Sequence, residues 1–376
     1  MQRRIFTAVR ILLVAVGVAV VVYAVNWRTI VTLPAGDTAL TGAASNTETT
    51  HVVTAMTAAG PGEVMVTTAS GLTGEVPLDT VSMGMFDVLG GADPWWLLIG
   101  LGLVGCVYPL QTTRWWILMR CRGLGGSWPR TLRLVLVGAF CNFALPGTEG
   151  GDVVKAWGAA RDSDRRVEAV VSVVFDRITG LAGLVILAAI VGLFVAESDA
   201  ARQIGQWVGW AALGVGGAAV AAFVIATRGW LRMPDIARRF SGGLPVRLFE
   251  AASAYANHPA AVAGATGVSV CVQILLASAA GCAAWSLGVT HDITVILAVV
   301  PVLFLVAAVP LFWQGAGVME AAGIALLAAP EVASVNQVVG FLLLYRAFEF
   351  VWGGVGALLM AGGGITLHPP VETTAQ

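Results

Sequence analysis

Leu145-Pro146-Gly147-Thr148-Glu149-Gly150-Gly151-Asp152-Val153-Val154-Lys155 is the stretch on which the reading of this chain turns. It follows directly on an apolar run, Leu132–Leu145. It opens with a proline break, continues through glycines and ends on charged residues. Charge among apolar segments is expensive in a membrane, so it is retained where it has a task. The apolar sequence on both sides shows that a membrane is the setting. Hydrophobic residues make up 57% of the 376 positions and charged residues 11%, against roughly 25% charged in a soluble domain. Mean hydropathy is +0.84. The net charge of −1 and the lack of a basic tract give no reason to expect a nucleic-acid partner.

Segment by segment, this reading gives an all-α polytopic membrane protein. It has about seven spanning helices plus two re-entrant or broken segments in two halves, with a small extracytoplasmic β insert. Residues 1–27 form the first transmembrane helix. Met1-Gln2-Arg3-Arg4 precedes an apolar run about long enough to cross. Val22-Tyr23-Ala24 also fits a cleavage site, but a retained helix is the favoured reading. Residues 28–93 are rich in Thr, Gly and Ala. Thr50–Thr54 and Glu63–Thr67 alternate as strands do, and Pro34–Asp37 and Gly60-Pro61-Gly62 carry turn residues. The insert is small for an independent core, so it is expected to lean on the membrane domain, either binding a protein partner or capping a loop.

Residues 94–361 form the main transmembrane domain, and 362–376 a cytoplasmic tail. Trp95–Leu110 is a span, followed by a basic loop with Arg114, Arg120, Arg122, Arg130 and Arg133. Gly100-Leu101-Gly102-Leu103-Val104-Gly105 matches the dinucleotide fingerprint by letter. No strand precedes it, so its small residues are read as helix packing. The run to Leu145 has basic residues on both flanks, the second group being Arg161, Arg165 and Arg166. Positive charge stays cytoplasmic, so that run must turn back inside the membrane near Pro146-Gly147. Val167–Val195, Val208–Ile225, Ala260–Leu287, Ile293–Val309 and Val338–Met360 follow as spans. This topology puts the N-terminus in the cytoplasm of a multi-pass cell-membrane protein. Seventeen of the 21 Lys and Arg residues fall inside, with Arg177 and Arg346 within the bilayer.

Two stretches share a grammar. Pro146 leads to Gly150-Gly151 and Asp152, and Pro310 leads to Gly315, Gly317 and Glu320. Paired interrupted segments at membrane depth point to a transporter site. A helix start with glycines offers N–H groups and a positive dipole end to an anion. Arg177 and Arg346 supply bidentate phosphate contacts. Their acidic counterparts are Asp152, Asp176, Glu320 and Glu349, with Glu149 and Lys155 beside them. Arg346 and Glu349 share a helix face. Asp176 and Arg177 point about 100° apart and need other partners. Lys155 lies one turn from Asp152 and is placed to pair with it. The plainer reading is that these charges are buried pairs that fix helix register. The four histidines and five cysteines show no ligand spacing, so neither a metal nor any other cofactor is expected.

The motifs resemble the transmembrane region of the lysylphosphatidylglycerol synthase/flippase family. Arg114-Trp115-Trp116-Ile117-Leu118-Met119-Arg120, Phe140 through Pro146 to Asp152, Ser172 through Asp176-Arg177 to Leu181, and Pro310 through Glu320 with Tyr345-Arg346 carry the likeness. The resemblance implies a multi-helix domain that handles anionic or aminoacylated membrane lipids. In some members this domain is fused to a soluble aminoacyl transferase. With none before Gln376, lipid aminoacylation is not expected, and no residue is assigned as catalytic. The β insert and Phe312-Trp313-Gln314 depart from the family pattern. The leading expectation is a flippase-like lipid translocase. The alternatives are a membrane-embedded transferase or hydrolase for a lipid-linked substrate, and a non-catalytic assembly partner.

Overall fold

The computed structural model describes residues 22–34, 39–40, 48–60, 63–144, 150–161, 163–194, 253–289, 293–307, 315–328 and 332–362, with a few isolated positions besides. Pro146-Gly147, Glu149, Pro310 and Phe312-Trp313-Gln314 lie outside them. So do the basic loop from Arg228 to Arg247 and residues 363–376 of the tail.

Five strands precede the long helices: β1 (Ile30–Leu33), β2 (Thr49–Gly60), β3 (Glu63–Thr68), β4 (Thr73–Pro77) and β5 (Val81–Ser82). They form one antiparallel sheet in the order β4-β3-β2-β1-β5. Alternation puts Val31 and Leu33 of β1 and Val64 and Val66 of β3 on one face. With Leu40 and Val76 they form a buried cluster. The insert therefore has a core of its own, more than its length led us to expect. Two register shifts in β2, between Val53 and Ala55 and between Ala58 and Gly60, mark bulges where twist increases.

The helices follow as α1 (Met85–Gly90), α2 (Pro94–Cys121), α3 (Trp128–Ala144), α4 (Gly150–Arg161), α5 (Arg166–Phe194), α6 (Pro259–Ser286), α7 (Ile293–Ala307), α8 (Val318–Leu327) and α9 (Val335–Ala361). Among the described residues four helices are long and apolar enough to cross a membrane: α2, α5, α6 and α9. Two shorter apolar helices, Ala298–Ala307 and Val318–Leu327, accompany them.

α2 shows how local chemistry sets the ends of an element. Asp93 Oδ1 accepts from the Trp95 N–H at 2.9 Å, and Pro94 opens the first turn. Gly123 ends it in a left-handed conformation at φ 65°. Between these ends the helix runs past Leu110, where the sequence suggested a loop. Pro109 lies inside it without breaking it.

The chain divides into two compact units. One comprises Met1–Gly100, Ala280–Asp292 and Ala316–Tyr345. In it Val25, Met85 and Val339 form a small core, with Leu89, Ile324 and Val335 against it. Asn336 fastens the base of the sheet segment there. Its amide donates to Asn26 O at 2.8 Å and Met83 O at 2.7 Å, and its Oδ1 accepts from Asn26 N at 3.1 Å.

The second unit comprises Leu101–Ala279, Ile293–Gly315 and Arg346–Gln376. In it α3 and α4 run antiparallel. Gly138 meets Gly151 and Leu134 meets Gly158, so one chain rises as the other falls. Val137, Cys141 and Val154 fill the seam. With 17 and 12 residues, at 1.5 Å per residue, the limbs are about 26 and about 18 Å long. Both are shorter than a hydrocarbon core of about 30 Å. This is the geometry expected of a segment that turns back.

Candidate functional site

Helix α4, which packs antiparallel to α3, starts at Gly150. Gly151 N–H donates to Asn142 Oδ1 at 2.7 Å. A Cβ on Gly151 would overlap Gly138 O, so only glycine permits this approach. The close packing fixes the first turn of α4, which carries Asp152 and, three residues on, Lys155.

Asp176 and Arg177 are neighbours on α5 and diverge around the helix, as adjacent positions must. Asp176 Oδ1 accepts from Arg114 Nε at 2.7 Å, and its Oδ2 lies 3.5 Å from Lys155 Nζ. Arg177 Nη1 lies 3.2 Å from Asp152 Oδ2. Lys155 Nζ is 3.7 Å from Asp152 Oδ1, which closes the chain of contacts. The five side chains come from α2, α4 and α5. Helix α6 adds Ser269, whose Oγ accepts from Arg114 Nη1 at 3.3 Å.

Burial grades across this network. Side-chain exposure is 8% for Arg114 and 4% for Asp176, 12% for Lys155, but 31% for Asp152 and 37% for Arg177. One pair is sealed and the other is open. Among the described residues the network holds the cations Arg114, Lys155 and Arg177 and the carboxylates Asp152 and Asp176. Two supports hold it from behind. Trp115 Nε1 donates to Ser172 Oγ at 3.1 Å, and Lys155 Nζ sits 5.8 Å from the Trp115 ring centroid. Gly180 leaves room for the Arg114 guanidinium, since a Cβ there would come to 2.8 Å from Nη1.

The structure thus brings Gly150, Gly151, Asp152, Lys155, Asp176 and Arg177 into one neighbourhood. Glu149 lies outside the described residues. Arg346 and Glu349 stand one turn apart on α9, both half-buried. Gly315 is left-handed at φ 68° and packs on Ala307. Gly317 (φ 83°) and Glu320 belong to the other unit. There Glu320 Oε2 accepts from the Gly317 N–H at 2.6 Å, so this carboxylate caps its own helix. At both helix starts a side chain already takes up one of the N–H groups expected to face an anion.

Arg114 corrects the sequence reading. The sequence suggests that it belongs to a basic loop. It lies instead inside α2, buried and ion-paired. The available signal was the apolar run that resumes right after it, Trp115-Trp116-Ile117-Leu118-Met119. Gln273 was also missed. Its Nε2 donates to Gly180 O at 3.5 Å, and its buried Oε1 has no hydrogen-bond partner among the described residues.

A family model, Lysylphosphatidylglycerol synthase TM region, matches residues 85–356. The chain belongs to this family. No curated protein matches it. The family match takes in every member of the ion network. It begins at Met85, just after β5, so the sheet lies outside it. Together with the four long apolar helices, membership makes this a membrane protein of the lysylphosphatidylglycerol synthase TM region family.

Among the described residues no group of three or more His, Cys, Asp or Glu side chains is arranged to hold a metal ion. Asp152 and Asp176 each face cations instead.

Proposed function

We propose that this family member translocates membrane lipids and takes the phosphate of an anionic headgroup at Lys155 and Arg177. The observation that carries the reading is the convergence of Lys155 and Arg177 on one partly exposed carboxylate, Asp152, at the open end of the network. Guanidinium and ammonium donors bind phosphate through charge-assisted hydrogen bonds. Burial strengthens these contacts by lowering the local dielectric. The sealed Arg114–Asp176 pair serves as the anchor that keeps α2 and α5 in register while the open end exchanges partners. In this reading the N-terminus is cytoplasmic and the sheet extracytoplasmic.

The test is lipid transfer between leaflets in proteoliposomes, comparing wild type with Arg177→Gln and Lys155→Met. Both variants should fold, and both should lose most of the transfer of labelled phosphatidylglycerol. Wild-type rates in both would remove the assignment. Turnover of a lipid-linked substrate without transfer would favour the transferase or hydrolase reading.

A second reading rests on the sheet. Its own core and its position outside the family match suit a module that displays a binding surface to a protein partner. Deleting Thr29–Leu89 and measuring transfer and partner capture separates the two roles.

A further inference from the structure

Resting on the anionic-headgroup reading, we infer that Asp152 is a built-in stand-in for the lipid phosphate, which it must leave to the incoming headgroup. Three observations converge. Asp152 contacts both cations that the headgroup needs, Arg177 at 3.2 Å and Lys155 at 3.7 Å. Its side chain is much less buried than that of Asp176, which faces the same lysine. The two carboxylates are therefore unequal. Asp176 is locked by Arg114 Nε at 2.7 Å and lies within the helix bundle. Asp152 sits on the first turn of α4, at the end of the helix and partly exposed.

The electrostatics explain why such a group is needed. Lys155 and Arg177 are neighbouring cations among apolar helices, and Asp152 bridges them in the resting network. A carboxylate on the protein neutralises them between cycles. A phosphate offers more acceptor oxygens than a carboxylate and can engage both cations together. When Asp152 yields, charge is exchanged and no new cation is buried. The network returns to its resting pairing when the lipid departs, so Asp152 promotes release as well as opposing premature binding. Asp152 thus sets affinity against turnover. It does not itself hold the substrate.

The experiment uses the full chain in phosphatidylcholine nanodiscs, with fluorescent phosphatidylglycerol as probe and fluorescent diacylglycerol as the control lacking phosphate. Asp152→Asn should bind phosphatidylglycerol about threefold tighter or more, as expected for loss of a partly exposed competing ion pair. It should release the lipid more slowly and transfer it more slowly at saturation. Asp152→Glu should return affinity toward that of wild type. If wild type prefers phosphatidylglycerol to diacylglycerol but Asp152→Asn binds no tighter, the stand-in role is overturned and the headgroup site survives. If wild type shows no preference, the headgroup reading itself falls. Should Asp152→Asn fail to fold, carbodiimide labelling of wild-type Asp152 decides. Labelling should rise on adding phosphatidylglycerol, and no rise overturns the inference.

Discussion

Arg114 and Asp176 lie 62 positions apart in the sequence and meet at 2.7 Å, with both side chains nearly sealed from solvent. Their meeting ties α2 to α5 at the depth where the open pair, Asp152 and Arg177, is displayed. Removing one member should leave an uncompensated charge. Arg114→Leu is expected to lower stability by about 3 kcal/mol or more. The double variant Arg114→Leu/Asp176→Leu should recover much of that loss. Thermal unfolding in nanodiscs, read as a double-mutant cycle, measures the coupling. Additive losses would mean that the pair does not act as a unit.

The glycines of the false dinucleotide fingerprint should separate cleanly. A Cβ on Gly102 would meet nothing within 4 Å, whereas one on Gly105 would run into the Trp352 indole. Trp352 is held there by its Nε1 bond to Leu101 O at 2.9 Å. Gly102→Ala should be neutral or stabilising by about 0.5–1 kcal/mol. Gly105→Ala should destabilise by about 1–3 kcal/mol. Melting temperatures of the two variants check this. Equal effects would contradict the packing account.

Asn336 should prove the fastening of the sheet segment. Asn336→Leu removes three hydrogen bonds to the Asn26 and Met83 backbones. Each backbone group left unpaired and buried costs about 1–3 kcal/mol. Limited proteolysis should then cut residues 28–93 faster, with the helices still protected. Asn336→Asp, which keeps the acceptor and loses the amide donors, should lie between wild type and Asn336→Leu. Unchanged digestion of both variants would overturn the assignment.

The start of α8 should be sensitive in two ways. Glu320→Ala removes the carboxylate that caps Gly317 and should cost about 1 kcal/mol or more. Glu320→Gln keeps an acceptor and should cost less. Gly317→Ala forces a side chain onto a backbone with φ 83° and should cost about 1–3 kcal/mol. Unfolding of the three variants gives the order. If Glu320→Gln is as damaging as Glu320→Ala, the carboxylate does more than cap.

Much of the membrane architecture was legible because hydropathy is a local property. Runs such as Val338–Met360 and Ala260–Leu287 fall almost on α9 and α6. The turn-back after Leu132–Leu145 followed from basic residues on both flanks. Part of the site was legible too. Asp152 and Lys155 are one turn apart on one helix, and their pairing needs only helix geometry. The divergence of Asp176 and Arg177 was likewise a local fact, since adjacent residues cannot share a helix face.

What stayed hidden is what depends on contacts between distant segments. A guanidinium next to an apolar run reads equally well as the edge of a loop or the middle of a helix, so Arg114 was misplaced. Among the described residues the carboxylate on α5 and the hydroxyl on α6 make its burial tolerable, and neither is near it in sequence. Sequence by itself determined that this chain lives in a membrane and that Asp152 and Lys155 stand one turn apart at the start of α4. The tertiary structure alone decided which cation meets which carboxylate. Ion pairing at depth depends on ångström-scale distance and shared burial, and these exist only once the helices have packed.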